Sequence, residues 1–241
     1  MKSIFVALAA TLTLSTGMAL AEEAASPLSF NVSLTSDYRY RGLSQSRLDP
    51  ALQGGADYAF SNGFYIGTWA STIKWIKDAP YNGGANVEID VYGGYKTEIA
   101  SGLTLDVGAL TYLYPSNDLN PKADTTEVYG ALSFGPVTAK YSHSVSNLFG
   151  TANSKGSGYL DVSATFDVGG GFTVVPHVGY QKVKHNSAGS YTDYSLTVNK
   201  DYAGFTFGAA YVGTNTDAYV GGPSLKSLGK DSLVVSVKKV F

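Results

Sequence analysis

The chain has 241 residues, with 28 glycines and 18 tyrosines, few charges (15% Asp, Glu, Lys and Arg), no cysteine and a formal net charge of −2. Lack of cysteine removes a disulfide framework, so the fold must rest on its own hydrogen-bond ladders. Weak acidity without a basic stripe argues against nucleic acid, and beyond the first residues no apolar run approaches the roughly 18 residues of a membrane-crossing helix.

The first segment reads as an export leader. Lys2 supplies the positive end, Ile4 to Leu14 a short apolar core, and Ala19-Leu20-Ala21 a cleavage site. Residues 1–21 are therefore expected to be removed, leaving 22–241 as one domain that starts at Glu22. Any membrane span in that domain must be made of strands.

Alternation fills the rest of the chain. From Phe30 to Arg41, Phe30, Val32, Leu34, Tyr38 and Tyr40 share one parity, while Asn31, Ser33, Thr35, Asp37, Arg39 and Arg41 share the other. Successive strand side chains point to opposite faces, so this segment has one apolar and one polar face. Val87 to Ile99 repeats the pattern, with Glu88, Asp90, Lys96 and Glu98 on the polar side. Leu103 to Ala109 opposes Thr104 and Asp106 to leucines and valine. Val137 to Val145 sets Lys140, Ser142 and Ser144 against Val137, Ala139 and Tyr141. Leu160 to Val168 and Leu233 to Phe241 follow, and only Lys239 breaks the apolar face of the last segment.

The connections alternate in length. Ser61-Asn62-Gly63, Ala100-Ser101-Gly102, Gly135-Pro136, Gly169 to Gly171 and Asp201 to Gly204 are short, with the Gly, Asn and Pro that tight hairpins need. Between them lie longer polar stretches: Gly42 to Pro50, Lys77 to Asn86, Pro115 to Thr125, Ser146 to Ser157, Lys184 to Ser190 and Asn215 to Lys230. Segregation of loop length by side predicts an all-β fold: a closed antiparallel transmembrane barrel of about 12 strands, with short periplasmic turns and long extracellular loops. Its last strand, ending on Phe241, is expected to seal the first and to be read by the barrel-assembly machinery.

Aromatic residues are expected in two belts at the membrane interfaces. Phe30, Phe60, Phe64, Phe134, Phe166, Phe172, Phe205 and Phe241 fall near the short-turn side. Tyr38, Tyr40, Trp69, Trp75, Tyr112, Tyr114, Tyr180 and Tyr211 fall towards the long-loop side. Outer-membrane lipid and lipopolysaccharide are the surroundings this placement implies.

The string Ser33-Leu34-Thr35-Ser36-Asp37-Tyr38-Arg39-Tyr40-Arg41-Gly42-Leu43-Ser44-Gln45-Ser46 resembles the N-terminal signature of the TorF porin family. Pro50-Ala51-Leu52-Gln53-Gly54-Gly55 and Gly63-Phe64-Tyr65-Ile66-Gly67-Thr68-Trp69-Ala70-Ser71 resemble its continuation. The similarity is densest over residues 30–110. It implies an outer-membrane barrel with a transport role and no known substrate, and it assigns no catalytic or binding residue.

On inward parity, Asp37, Arg39 and Arg41 are expected to stack along the lumen wall, with Asp57, Glu88, Asp90, Lys96, Glu98, Asp106, Glu127 and Lys140 as further lumen-lining candidates. Two readings stand: an internal ion-pair network that fills the barrel, or a charged constriction that selects solutes. About eight strands leave room only for side chains and about sixteen leave a wide channel, so about twelve permit either.

Other sites are faint. A barrel hydrolase needs a serine beside His143, yet Ser142 and Ser144 take the opposite face. Asn117 to Asp124 lacks the regular spacing of a calcium loop. No metal or other cofactor is expected. The sequence therefore reads as a porin passing small solutes or ions. The alternatives are a non-conducting structural or adhesive barrel and, less favoured, a lipid-modifying barrel enzyme.

Overall fold

The computed structural model describes residues 26–78 and 80–241; the expected leader, residues 1–21, lies outside them. The architecture is a closed antiparallel barrel of twelve strands. These are β1 Leu28–Thr35, β2 Ala51–Ala59, β3 Phe64–Thr72, β4 Val87–Ala100, β5 Leu103–Leu113 and β6 Thr125–Phe134. Then come β7 Val137–Ser144, β8 Gly158–Ala164 continuing as Phe166–Gly169, β9 Phe172–Lys182, β10 Tyr191–Tyr202, β11 Phe205–Thr214 and β12 Ser232–Val240. Each strand pairs with its neighbours in the chain. β1 pairs with β12 from Asn31 opposite Val240 to Thr35 opposite Ser236. At the seam, Phe30 and Phe241 exchange two backbone hydrogen bonds of 3.2 and 2.8 Å. Among the described residues no barrel strand is left with an unpaired edge, which removes the usual route to edge-to-edge aggregation.

The two-residue rhythm divides the wall into two faces. Leu34, Leu52, Ile66, Leu132 and Leu196 stand exposed outside, while Ser33, Gln53, Ser71, Asp106 and Asn199 are buried within. A continuous apolar exterior of this extent marks a surface made for another apolar phase. Among the described residues no helix is long and apolar enough to cross a membrane; the strands make the wall. The buried core lies inside the barrel, towards the long loops, where Tyr38, Trp69, Ile73, Ile76, Tyr92, Leu110, Tyr112 and Tyr114 pack together.

The first long segment differs from expectation. β1 ends at Thr35, so Asp37, Arg39 and Arg41 are not wall residues of a strand running to Arg41. Residues 36–50 instead turn inward and form a small hairpin in which Arg39 pairs with Ser44 and Tyr40 with Leu43. Its two turn residues, Arg41 (φ 48°) and Gly42 (φ 78°), both have positive φ, the requirement of the tightest hairpin turn. The Asp37 carboxylate drives the bend, accepting from Ser44 Oγ at 2.5 Å, Ser46 Oγ at 3.1 Å and Arg39 Nε at 2.5 Å. These local partners compete with the ladder that would have extended the strand.

Six residues expected in the long-loop belt lie off the outer wall. Trp69 shares parity with Gly67 and Ser71 in β3 and meets Tyr38 edge to face at 5.3 Å. Tyr112 shares the inward parity of Asp106 in β5. Trp75 lies beyond β3, in the loop over the barrel mouth, between Tyr81 and Tyr114. Depth along a strand suggested a belt, but parity decides the face. Tyr38, Tyr40 and Tyr114 turn in as well. Phe30, Phe60, Phe64, Phe134, Phe166, Phe172, Phe205 and Phe241 do stand exposed at the short-turn end, and Tyr180 and Tyr211 stand exposed towards the other. Lys239, which breaks the outer face of β12, holds its ammonium 5.1 Å from the rings of both Phe205 and Phe241.

Candidate functional site in the barrel interior

Arg41 is carried by the inward hairpin to the opposite side of the ring. Its guanidinium forks onto Glu127 of β6, with Nη2 2.7 Å from Oε2 and Nη1 3.1 Å from Oε1, and Nη1 also donates to Gln181 Oε1 of β9 at 2.6 Å. The rings of Tyr40 and of Tyr159 in β8 lie 4.8 and 4.2 Å from its central carbon. Strand order places β6, β8 and β9 across the barrel from β1, so this one side chain bridges the interior. Planar, bidentate pairing is what a guanidinium does best with a carboxylate.

The hairpin is tied to the near wall too. Arg39 donates to the carbonyl oxygens of Gly42 (2.9 Å) and Leu228 (2.9 Å) and to Ser232 Oγ (2.7 Å). Tyr38 donates to Glu88 at 2.7 Å, and the Tyr40 and Tyr112 hydroxyls meet at 2.5 Å. Gly42 is required where it sits: a Cβ there would fall 2.5 Å from Thr214 Cγ2 and 2.7 Å from Asp193 Cβ. Outside the barrel wall, Lys74 Nζ lies 2.7 Å from Asp49, tying this segment to the loop of residues 73–86. That hydrogen bond, with Arg47 beside it, holds the Asp49 carboxyl below its ordinary range.

Further towards the short turns, inward tyrosines and carboxylates alternate. Tyr92 donates to Asp57 at 2.5 Å and Tyr65 to Asp106 at 2.6 Å, and the hydroxyls of Tyr65 and Tyr129 touch. Lys140 holds its ammonium 3.9 Å from the Tyr129 ring centre. Asp90 is buried on the same face as Glu88, and Lys96 stands opposite Asp106 in register. Asp57, Glu88, Asp90, Lys96, Asp106, Glu127 and Lys140 thus all project inside. Glu98 does not: it is exposed at the short-turn rim, where it accepts from Gly102 N at 2.9 Å, because its strand has left the enclosed part of the wall.

A second cluster was not among the sequence candidates. His177 Nε2 lies 2.8 Å from Asp161 and Nδ1 lies 3.7 Å from Asp193, while Tyr159 donates to Asp193 at 3.0 Å. Parity identifies Asp161 as inward, and the same test applied to β9 and β10 finds His177 and Asp193. On β7, alternation sends His143 outward and buries Ser142 and Ser144 inside, so no serine–histidine pair forms there. In the loop of residues 114–124, Asp124 accepts from Tyr114 N and Asn117 from Leu119 N, which closes the loop on itself.

Two cavities border the hairpin. One, of about 100 Å³, opens at the long-loop end between Arg41, Trp75, Phe149 and Tyr219. The other, of about 80 Å³, lies between Asp37, Arg39 and the inner faces of β1, β10, β11 and β12.

The fold is shared with solved porins at low sequence identity. The KdgM porin superposes with a TM-score of 0.55 at 8% identity, covering 89% of this chain and 98% of that one. A second KdgM structure, described as in complex with disordered oligogalacturonate, gives the same values. The NanC porin gives 0.54 at 13% identity, covering 87% and 98%. No curated protein matches the chain in sequence. The model of one family matches residues 21–241, and the chain belongs to that family, Gcw_chp, described as a bacterial protein of unknown function.

Proposed function

We propose that this protein is an outer-membrane porin of narrow bore that admits small solutes and prefers cations to anions. The observation that carries the reading is the division of a closed wall into an apolar outside and a charged, hydrogen-bonded inside. Hydrocarbon around the barrel and water within it call for that division. The porin fold of its structural relatives and the TorF resemblance of residues 33–46 support the same setting, reached by export and loss of residues 1–21.

Cation preference follows from the charges inside. Asp37 and Arg39 cancel, as do Arg41 and Glu127. Asp57, Glu88, Asp90, Asp106, Asp161 and Asp193 remain against Lys96, Lys140, His177 and Lys238 among the described residues that point inward. Carboxylates lining a bore favour cations over anions, and here they outnumber the inward amines and imidazole. The test is the zero-current potential of single barrels in a planar bilayer across a KCl gradient. A potential of the sign set by potassium supports the reading, and a chloride-selective pore contradicts it.

One observation favours a barrel without conductance: tyrosines and the inward hairpin leave the interior crowded, with cavities of about 100 and 80 Å³. Silence across many confirmed insertions selects that second reading.

A further inference from the structure

The cavity at the long-loop end is built from the tips of several elements and is ringed by aromatics. Tyr40 comes from the inward hairpin, Trp75 from the loop after β3, Phe149 from the loop after β7, Tyr191 from the start of β10 and Tyr219 from the last long loop. The rings brace one another. Tyr40 and Phe149 stand edge to face at 5.7 Å, and Tyr191 and Tyr219 do so at 5.4 Å. Trp75 meets Tyr81 at 5.7 Å and Tyr114 at 5.6 Å. Side chains held this way are preorganised, and a ligand that meets them loses little rotamer entropy.

Two donors at this cavity have no protein acceptor. Trp75 Nε1–H and Arg41 Nε–H are both buried and both unpaired, whereas buried polar groups ordinarily find partners. Arg41 is also the only charged residue among those described that line the cavity, and its charge is already matched by Glu127. A cation finds no carboxylate here, and an anion finds no free positive charge. What fits is a neutral molecule with flat apolar faces and oxygen acceptors at its edge.

We propose that this cavity is a recognition site for a neutral pyranose, the end ring of a monosaccharide or short oligosaccharide. The C–H face of the sugar packs on the aromatic collar, and a small shift of the covering rings brings its hydroxyl oxygens to Trp75 Nε1–H and Arg41 Nε–H, which lie buried behind the cavity surface. The cavity opens at the long-loop end, so one ring seats against the aromatic collar and further units extend into the mouth. The site deepens the porin reading and rests on it for its purpose, since a solute held here stands at the entrance to the bore.

The test uses the purified full-length barrel in detergent micelles. The chain has two tryptophans, and Trp69→Phe leaves Trp75 as the reporter. Maltose and D-glucose should each shift its emission saturably, glycerol should not, and glucuronate should bind no more tightly than glucose. Trp75→Phe keeps a ring and removes the N–H, and should weaken blockade of the bilayer current by maltose roughly five- to tenfold, the loss of one hydrogen bond. If Trp69→Phe fails to fold, the same titration on the unsubstituted chain reads both tryptophans. No emission change with either sugar, or tighter binding of glucuronate, overturns the site while leaving conductance untouched. Sugar binding by a barrel that never conducts would keep the site and sink the porin reading.

Discussion

Arg41 and Glu127 lie 86 positions apart in the chain and face each other across the barrel with paired contacts of 2.7 and 3.1 Å. Both side chains are almost wholly buried. The pair closes the inward hairpin against the far wall and fixes how far residues 36–50 reach into the interior.

Removing one partner leaves the other as an uncompensated buried charge. Arg41→Ala and Glu127→Ala should each destabilise the folded barrel by about 3 kcal/mol, and the double variant by clearly less than the sum. Urea unfolding in lipid vesicles measures the cycle. Additive losses would show that the two groups do not act together.

Gly42→Val places a branched side chain at φ 78°, against Thr214 and Asp193. Backbone strain of order 1–3 kcal/mol adds to the clash, so the hairpin should leave its seat while the wall stays closed. Protease cleavage within residues 36–50 should appear in the variant and be absent in the parent, with the barrel core intact on a gel.

The exterior makes a depth-dependent prediction. Leu196→Arg, in the middle of β10 and facing out, should cost roughly 2–4 kcal/mol in a bilayer. Phe134→Arg, at the short-turn rim, should cost about 0–1 kcal/mol by the same rule. Equal costs at the two positions would argue against an apolar slab around the barrel.

Asp49 gives a pH dependence outside the membrane wall. Its folded pKa is depressed below the ordinary 3.8, chiefly by the Lys74 hydrogen bond, so its contribution is present above 3.8 and is lost as pH falls through the lower folded value. The side chain is 42% exposed, and salt screening keeps the effect small. Amide exchange in residues 73–86 should be steady from pH 7 to 5 apart from the intrinsic rate change, then lose protection below about pH 4. Asp49→Asn should abolish that step.

Strand number, loop alternation and closure were legible because a wall between two phases must repeat every two residues, and the repeat shows in Val87 to Ile99 without any tertiary information. The inward hairpin was not. Asp37, Arg39 and Arg41 keep strand parity to the end, and only the serines at 44 and 46 that collect on Asp37 reveal that the ladder loses. The sign was there in Arg41-Gly42, a two-residue turn flanked by Tyr40 and Leu43. Trp69 and Tyr112 were misplaced for a different reason: amphipathic rings suit an interface, but in this barrel they also fill the interior beside carboxylates. Which carboxylate meets which tyrosine depends on strand stagger, which no local pattern carries.

The most direct measurement is single-channel conductance of the full chain beside a variant in which residues 37–48 are replaced by a short glycine–serine link. The parent should show small, cation-preferring steps, and the variant steps several times larger through the same wall. Equal steps in the two, or a variant that inserts and stays silent, would contradict a porin whose bore is set by the hairpin that Arg41 anchors.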